Sequence, residues 1–149
     1  MRLIRVVEPV IGEEEERAVI EVLRSKWIAH GPIVEEFEKR FAEYIGVNYA
    51  LAVSNGTVAL DLALKALGIT SGDEVLVPDF TFIATANAVL FQGAKPVFVD
   101  INLDTYTMDP NDLRAKITGR TRAIIVVHLY GHPADMESIL EIASEHGLL

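Results

Sequence analysis

Tyr49-Ala-Leu-Ala-Val-Ser-Asn-Gly-Thr57, continued by Val58-Ala-Leu-Asp-Leu-Ala-Leu-Lys-Ala-Leu67, is the stretch whose reading decides the fold. Tyr49 to Val53 is an apolar run of strand length, and it stops at small and polar residues. A long apolar helix is predicted to begin near Thr57. Ser54 or Asn55 can cap it, because a short side-chain oxygen accepts from one of the helix's free N–H groups. Gly56 has no Cβ to keep a ligand away from the backbone. The N–H groups of Gly56, Thr57 and Val58, with the helix dipole behind them, are therefore predicted to seat a phosphate. The same strand, turn and helix recur in α/β proteins that bind nothing there, so this signal alone is weak.

Downstream the pattern keeps alternating. Strands are predicted at 49–53, 74–77, 97–99 and 122–127, and helices near 57–67, 81–92, 110–117 and 134–146. Ala123-Ile-Ile-Val-Val127 is apolar at every position, as expected of a strand covered on both faces in a parallel sheet. The expected fold class is α/β, a three-layer αβα arrangement with a mostly parallel sheet and right-handed crossovers. His146-Gly147 reads as a helix stop, and Leu148-Leu149 as the start of another buried strand. A chain ending there leaves its sheet incomplete, so a partial chain is expected.

Upstream, Val19, Ile20, Leu23 and Trp27 share one side of a predicted helix over 13–27, which makes Trp27 most simply a core residue. Glu13-Glu-Glu-Glu16 falls in that helix's first turn, where negative charge suits the dipole. His30-Gly31-Pro32 breaks the helix. A second one carries an apolar stripe of Val34, Phe37, Phe41 and Tyr44, with Gly46 placed to cap its end. Residues 1–46 are accordingly expected to form a helical arm, packed on something outside the core built by 47–149.

Half of the 149 residues are hydrophobic, enough for a substantial core in roughly one domain. No run approaches the ~20 apolar residues of a membrane span. Met1-Arg-Leu-Ile-Arg-Val-Val-Glu-Pro9 lacks a leader pattern, and no cysteine is present to form disulfides or thiolate metal sites. These features predict a cytoplasmic protein. A formal net charge of −9 argues against nucleic-acid or anionic-membrane binding.

In an open parallel sheet, ligands bind beyond the carboxyl ends of the strands. Four segments are predicted to arrive there: Ser54–Thr57, Pro78–Phe82, Asp100 with its following loop, and His128–His132. His128 and His132 have the spacing of helical metal ligands, but Gly131 and Pro133 oppose a helix, so no metal site is expected. No glycine-rich dinucleotide fingerprint, Walker pattern or Gly-x-Ser-x-Gly elbow occurs.

Taken together, five segments in order resemble the DegT/DnrJ/EryC1/StrS sugar aminotransferases, fold-type-I pyridoxal-phosphate enzymes. They are Trp27-Ile-Ala-His-Gly-Pro32 with Phe37-Glu38, and Ser54-Asn-Gly-Thr-Val-Ala-Leu60. Next come Gly72-Asp-Glu-Val-Leu-Val-Pro78 with Thr81-Phe-Ile-Ala-Thr-Ala86, and Pro96-Val-Phe-Val-Asp100. The last is His128-Leu-Tyr-Gly-His-Pro-Ala-Asp-Met136. The resemblance spans essentially the whole chain and rests on the combination rather than on any one piece.

The resemblance implies that 47–149 is the first part of the large cofactor-binding domain. Gly56 and Thr57, with Val58, would hold the phosphate of pyridoxal 5'-phosphate through backbone amides and the Thr57 hydroxyl. Phe82 would stack on the pyridine ring, and Ser54 and Asn55 would support the turn. Trp27 and Gly31 would lie near the sugar substrate or a partner subunit. His128 and Tyr130 would act as supports.

The lysines at 26, 39, 65, 95 and 116 match no part of the family's catalytic motif. The Schiff-base lysine and the aspartate that pairs with the pyridine nitrogen are expected beyond residue 149, leaving these residues alone inactive. The implied function is the N-terminal part of an aminotransferase that moves an amino group from an amino acid, glutamate in the first instance, to a nucleotide-linked keto-sugar. A homodimer with its site at the interface is implied. Two alternatives stay open: a sugar dehydratase of the same family, with histidine in place of the lysine, and a non-catalytic short homologue that binds a phosphate or a partner.

Overall fold

The computed structural model describes residues 7–149, so the Met1–Val6 part of the leader reading lies outside the described residues. The chain forms two compact units, divided between Ala52 and Val53.

The second unit is built on a parallel sheet. Its strands are β1 (Glu74–Pro78), β2 (Lys95–Val99) and β3 (Thr121–Ile124), in the order β2-β1-β3. Every residue of β1 is buried, as its central place requires. Proline donates no backbone hydrogen bond, and Pro96 accordingly sits in β2, which pairs only with β1 among the described residues. In register, Val75 pairs with Pro96 on one side and Ala123 on the other.

Four helices cover the two faces: α3 (Gly56–Ala66), α4 (Ala84–Phe91), α5 (Pro110–Lys116) and α6 (Met136–His146). Alternation along β1 sends its side chains to opposite layers. Val75 and Val77 pack with Leu64 of α3 and with Ala88 and Val89 of α4. Leu76 packs on the other face with Val99, Leu113 of α5, and Ile139 and Ile142 of α6. The expected three-layer αβα architecture with a parallel sheet is therefore present.

The ends of the helices follow their sequences. Asp109 caps α5 by accepting from the Asn111 N–H at 2.9 Å, and Pro110 occupies the first turn, where no N–H is needed. Asp135 caps α6 through the Ser138 N–H, and Gly147 ends that helix in the left-handed region at φ 62°. Beyond it, the Leu149 N–H donates to the Arg122 carbonyl and the Leu149 carbonyl accepts from Ile124. These bonds form one parallel rung beside β3, but the buried strand expected of Leu148-Leu149 is not formed, and Leu149 is exposed.

Two further expectations fail here. Residues 49–53 form no strand; Tyr49 and Leu51 are exposed, and no neighbouring strand offers the segment a ladder among the described residues. Strand β3 ends at Ile124 rather than 127, although the Ile125 N–H still reaches the Leu76 carbonyl at 2.9 Å. Ile125 to Val127 are only half-buried, because they run past the end of the paired region.

At the amino end of β1, Glu74 anchors the sheet. Its side chain is 2% exposed. The Thr118 hydroxyl donates to Oε2 at 2.6 Å, Arg120 Nη2 to Oε1 at 2.7 Å, and Lys95 Nζ to Oε1 at 3.3 Å. The Thr118 bond and then the Arg120 bond hold its carboxyl at about 2, far below the ordinary 4.5, with desolvation as the weaker opposing effect. Lys95 comes from β2, while Thr118 and Arg120 lead into β3, so one carboxylate ties three neighbouring strands together.

The first unit contains α1 (Glu13–Ser25) and α2 (Pro32–Ile45). The four glutamates lie in the first turn of α1, where the Gly12 N–H donates to Glu15 Oε2 at 2.7 Å. Gly46 caps α2 at φ 81°. The helices are amphipathic as expected, but Trp27 is not core: it is 61% exposed, and Val19, Ile20 and Leu23 are exposed with it. Helical spacing reveals an apolar face but not what covers it, and these four side chains stay exposed among the described residues of this unit.

Candidate functional site

The order β2-β1-β3 carries the geometry of the site. The chain leaves β1 for β2 on one side, then crosses back over β1 to reach β3 on the other. Where strand order reverses in this way, the connecting loops diverge and open a crevice at the carboxyl ends of the strands. A cleft of about 1020 Å³ lies there. It is bounded by the start of α3, by Phe80 to Thr85 after β1, and by Val127 to Tyr130 after β3.

Of the sequence-predicted residues, Asn55, Gly56, Thr57 and Phe82 line this cleft together. The helix start offers an anion what the sequence suggests. Gly56 and Thr57 precede the first intrahelical bond, from the Ala59 N–H to the Asn55 carbonyl, so their amides have no acceptor within α3. No acidic residue occupies the first turn, so nothing there opposes the positive end of the dipole. Gly56 has no positive φ, and a Cβ built on it would meet nothing within 4 Å. Neither packing nor backbone conformation requires glycine at this place, and without a Cβ the space over its backbone is open to a ligand.

Val58 departs from its expected role. Its N–H donates to Asn55 Oδ1 at 3.0 Å and is not a free donor. Asn55 is thus the cap, in extended conformation, while Ser54 Oγ lies 3.4 Å from Asn55 Nδ2 behind it. Asn55→Ala is expected to lower stability by about 1 kcal/mol. Urea unfolding would measure it, and an unchanged midpoint would rule out the cap.

Phe82 presents its ring rather than burying it: the residue is 75% exposed at the cleft, which removes the reading of a core phenylalanine. Its place is fixed from beneath. Helix α4 begins at Ala84, later than the predicted 81, because the preceding turn is tightened. There the Thr85 N–H donates to the Phe82 carbonyl at 3.0 Å, and the Thr81 and Thr85 hydroxyls share a bond of 2.9 Å. Thr85 is buried. This hydroxyl pair was invisible to reading for motifs; the i, i+4 spacing of the threonines was its one signal.

His128 and Tyr130 line the opposite wall. Tyr130 is exposed and sits at φ 50° within the single 3-10 turn Leu129–Gly131. His128 Nδ1 accepts from the Ala134 N–H at 3.1 Å. Asp100 does not join them. Its N–H donates to Asp112 at 2.7 Å, its own carboxylate accepts from the Ile101 N–H, and it is absent from the cleft wall.

Trp27 and Gly31 line a separate hollow of about 390 Å³ inside the first unit. A Cβ on Gly31 would come within 3.2 Å of Trp27 Cβ, so glycine there is explained by the indole lying against it. No cluster of residues suited to a metal ion occurs among the described residues, and none of their helices is long and apolar enough to cross a membrane.

This donor set fits a phosphorylated planar ring. Two free amides and a hydroxyl stand at one end of the cleft, an exposed aromatic face borders it, and no lysine lines it.

Residues 9–149 match the DegT/DnrJ/EryC1/StrS aminotransferase family. GDP-perosamine synthase of Escherichia coli O157:H7 is 50% identical over 149 residues, which cover 99% of this chain and 41% of that protein. UDP-2-acetamido-2-deoxy-3-oxo-D-glucuronate aminotransferase of Pseudomonas aeruginosa is 46% identical, over 93% of this chain and 38% of that protein. Among solved structures, NtdA from Bacillus subtilis with bound cofactor PMP superposes with a TM-score of 0.86 at 41% identity, covering 93% of this chain and 33% of that one. The chain spans about 40% of the length of the curated relatives it matches.

Proposed function

From the premise that this chain belongs to the DegT/DnrJ/EryC1/StrS aminotransferase family, we propose that it is the N-terminal portion of a pyridoxal-phosphate-dependent aminotransferase acting on a nucleotide-linked keto-sugar. The observation that carries this reading is the convergence of the free amides at the start of α3 and the exposed Phe82 ring on one cleft. The names of the two curated relatives, one a GDP-linked and one a UDP-linked sugar, support the acceptor class.

The cofactor, when bound, supplies an electron sink for moving an amino group. The chain's own residues do the holding. The Gly56 and Thr57 amides, with the Thr57 hydroxyl, bind the phosphate oxygens, and the α3 dipole adds to that attraction. Phe82 offers its face to the ring and excludes water from that side, while the Thr81–Thr85 bond keeps the turn beneath it in place. Val58 takes no part in the holding, since its amide is bound by Asn55 and it is absent from the cleft wall.

The amino donor is proposed to be glutamate, and the assembly a cytoplasmic homodimer whose sites lie at the interface. Residues 1–46 form the arm and 47–149 the first part of the large domain. Trp27 and Gly31 serve the arm's own packing and, in the assembled enzyme, the approach to the sugar. The Schiff-base lysine is proposed to lie outside these 149 residues, a reading supported by the lack of lysine among the residues lining the cleft. These residues alone therefore hold the cofactor without a covalent bond and do not transaminate.

The test is the mass of the full-length protein after addition of pyridoxal phosphate and reduction with borohydride. One stable adduct, on a lysine outside 1–149, is expected. Full-length protein that binds the cofactor but takes no adduct would replace this reading with the dehydratase one. Phe82→Ala is expected to weaken cofactor binding about fivefold, since stacking on an aromatic face contributes on the order of 1 kcal/mol. Absorbance titration would measure it, and unchanged affinity would exclude the stacking role.

A further inference from the structure

His128 lies beyond the end of β3, on the cleft wall opposite Phe82, and the residue is exposed. One of its nitrogens is already committed. A backbone amide can only donate, so the 3.1 Å bond from the Ala134 N–H makes Nδ1 an acceptor. In the neutral ring the single proton then resides on Nε2. Ala134 is buried, and its amide has no other partner among the described residues, so releasing Nδ1 would leave that N–H unsatisfied. The backbone on both sides is also fixed. The His128 carbonyl accepts from the Gly131 N–H at 3.0 Å, and the His132 N–H donates to the Leu129 carbonyl at 2.9 Å.

Holding one buried amide does not require an imidazole. An asparagine carbonyl, which lies near the place of Nδ1, would satisfy Ala134 equally well. What histidine adds is the second nitrogen, and no residue among those described accepts from it.

We propose that His128 is a ligand-binding residue of the cleft, its tautomer fixed by the Ala134 amide so that Nε2–H donates to an oxygen acceptor of the bound cofactor or of the keto-sugar. This assignment rests on the reading of the cleft as a pyridoxal-phosphate site. It gives His128 direct contact with ligand, beyond the supporting role that family resemblance implies.

The test uses the full-length protein and two variants that divide the ring's duties. His128→Asn keeps an acceptor for Ala134 and removes the donor. His128→Gln places an amide N–H near Nε2 and gives up the acceptor. First, nitrogen-15 NMR of the unliganded wild type is expected to find the proton of the His128 ring on Nε2; a proton on Nδ1 overturns the proposal.

Second, pyridoxal phosphate affinity is measured by absorbance and acceptor-sugar KM by steady-state kinetics. His128→Asn is expected to unfold at the wild-type urea concentration yet lose about tenfold in one of the two constants, with His128→Gln recovering part of that loss. Loss in cofactor affinity assigns the acceptor oxygen to the cofactor, and loss in sugar KM alone assigns it to the sugar. Wild-type values for both constants in His128→Asn would overturn the proposal. Failure of the wild type itself to take up pyridoxal phosphate would overturn the reading of the cleft, and this assignment with it.

Discussion

Gly56→Leu is expected to lose at least about 100-fold in affinity for pyridoxal phosphate, equivalent to about 2.7 kcal/mol, with no loss of stability. The two halves of that expectation have separate physical origins. The open space around a Gly56 Cβ and the absence of a positive φ mean that the folded chain accommodates the side chain without strain. Leucine also has the higher helix propensity, by several tenths of a kcal/mol at interior positions and less at this first one. The same open space is where the phosphate must come to reach the Gly56 and Thr57 amides. A branched side chain there separates the anion from its donors, and a charge-assisted bond weakens steeply with separation. Urea unfolding of the unliganded protein and an absorbance titration read the two halves independently. Unchanged affinity would remove the phosphate from the start of α3. A large fall in stability would mean that glycine is kept there for folding.

Glu74→Gln is expected to destabilise the protein by about 2 kcal/mol at neutral pH. Depression of the carboxyl to about 2 from 4.5 corresponds to at most about 3 kcal/mol of linkage. Lys95 and Arg120 are 68% and 66% exposed, so solvent screens them and the smaller figure follows. The sign is fixed by the direction of the shift. A depressed carboxyl stabilises the folded state above its unfolded value near 4.5, and that contribution drains away as pH falls toward 2. Wild type should therefore lose stability through this window while Glu74→Gln stays flatter, and the two should converge in acid. Urea midpoints across the window measure it. A deficit that stays constant into acid would assign the effect to packing rather than charge. Cofactor affinity should barely move, because Glu74 lies at the amino end of β1, opposite the cleft.

The legible parts of this chain were those in which local physics and tertiary structure agree. Val75 to Val77 and Ala123-Ile124 read as buried strands because apolar β-branched runs have few other uses. The start of α3 was visible in Ser54-Asn-Gly-Thr57, since a capping side chain and a missing Cβ leave a sequence trace. Tyr49 to Val53 has the same apolar character as β1, yet a strand needs a neighbour, and no local pattern reports whether one is present. Trp27 departs from its expected burial for a related reason: a helical stripe predicts a covered face without naming the cover.

Within the site, sequence does not reveal that the Val58 amide is taken, because the choice between Ser54 and Asn55 as cap depends on a side-chain angle. The stacking role proposed for Phe82 rests on resemblance; its spacing alone fits a core residue equally well. The acceptor role of His128 was out of reach. It depends on the chain turning back through Gly131 and Pro133 to bring the Ala134 amide to the ring.

The two faces of β1 carry unequal obligations. Helices α3 and α4, whose first turns line the cleft, rest with Val75 and Val77 on one side of the sheet. Helices α5 and α6 rest with Leu76 on the other and contribute nothing to the cleft wall. A substitution at Leu113 or Ile142 spends only folding stability, whereas one at Leu64 or Val89 also shifts the footing of the ligand's donors. Over many generations the α5/α6 side is free to drift in sequence, provided that its volume is kept. The α3/α4 side evolves under two constraints at once, and a search for stabilising substitutions that spare the chemistry belongs on the far face of the sheet.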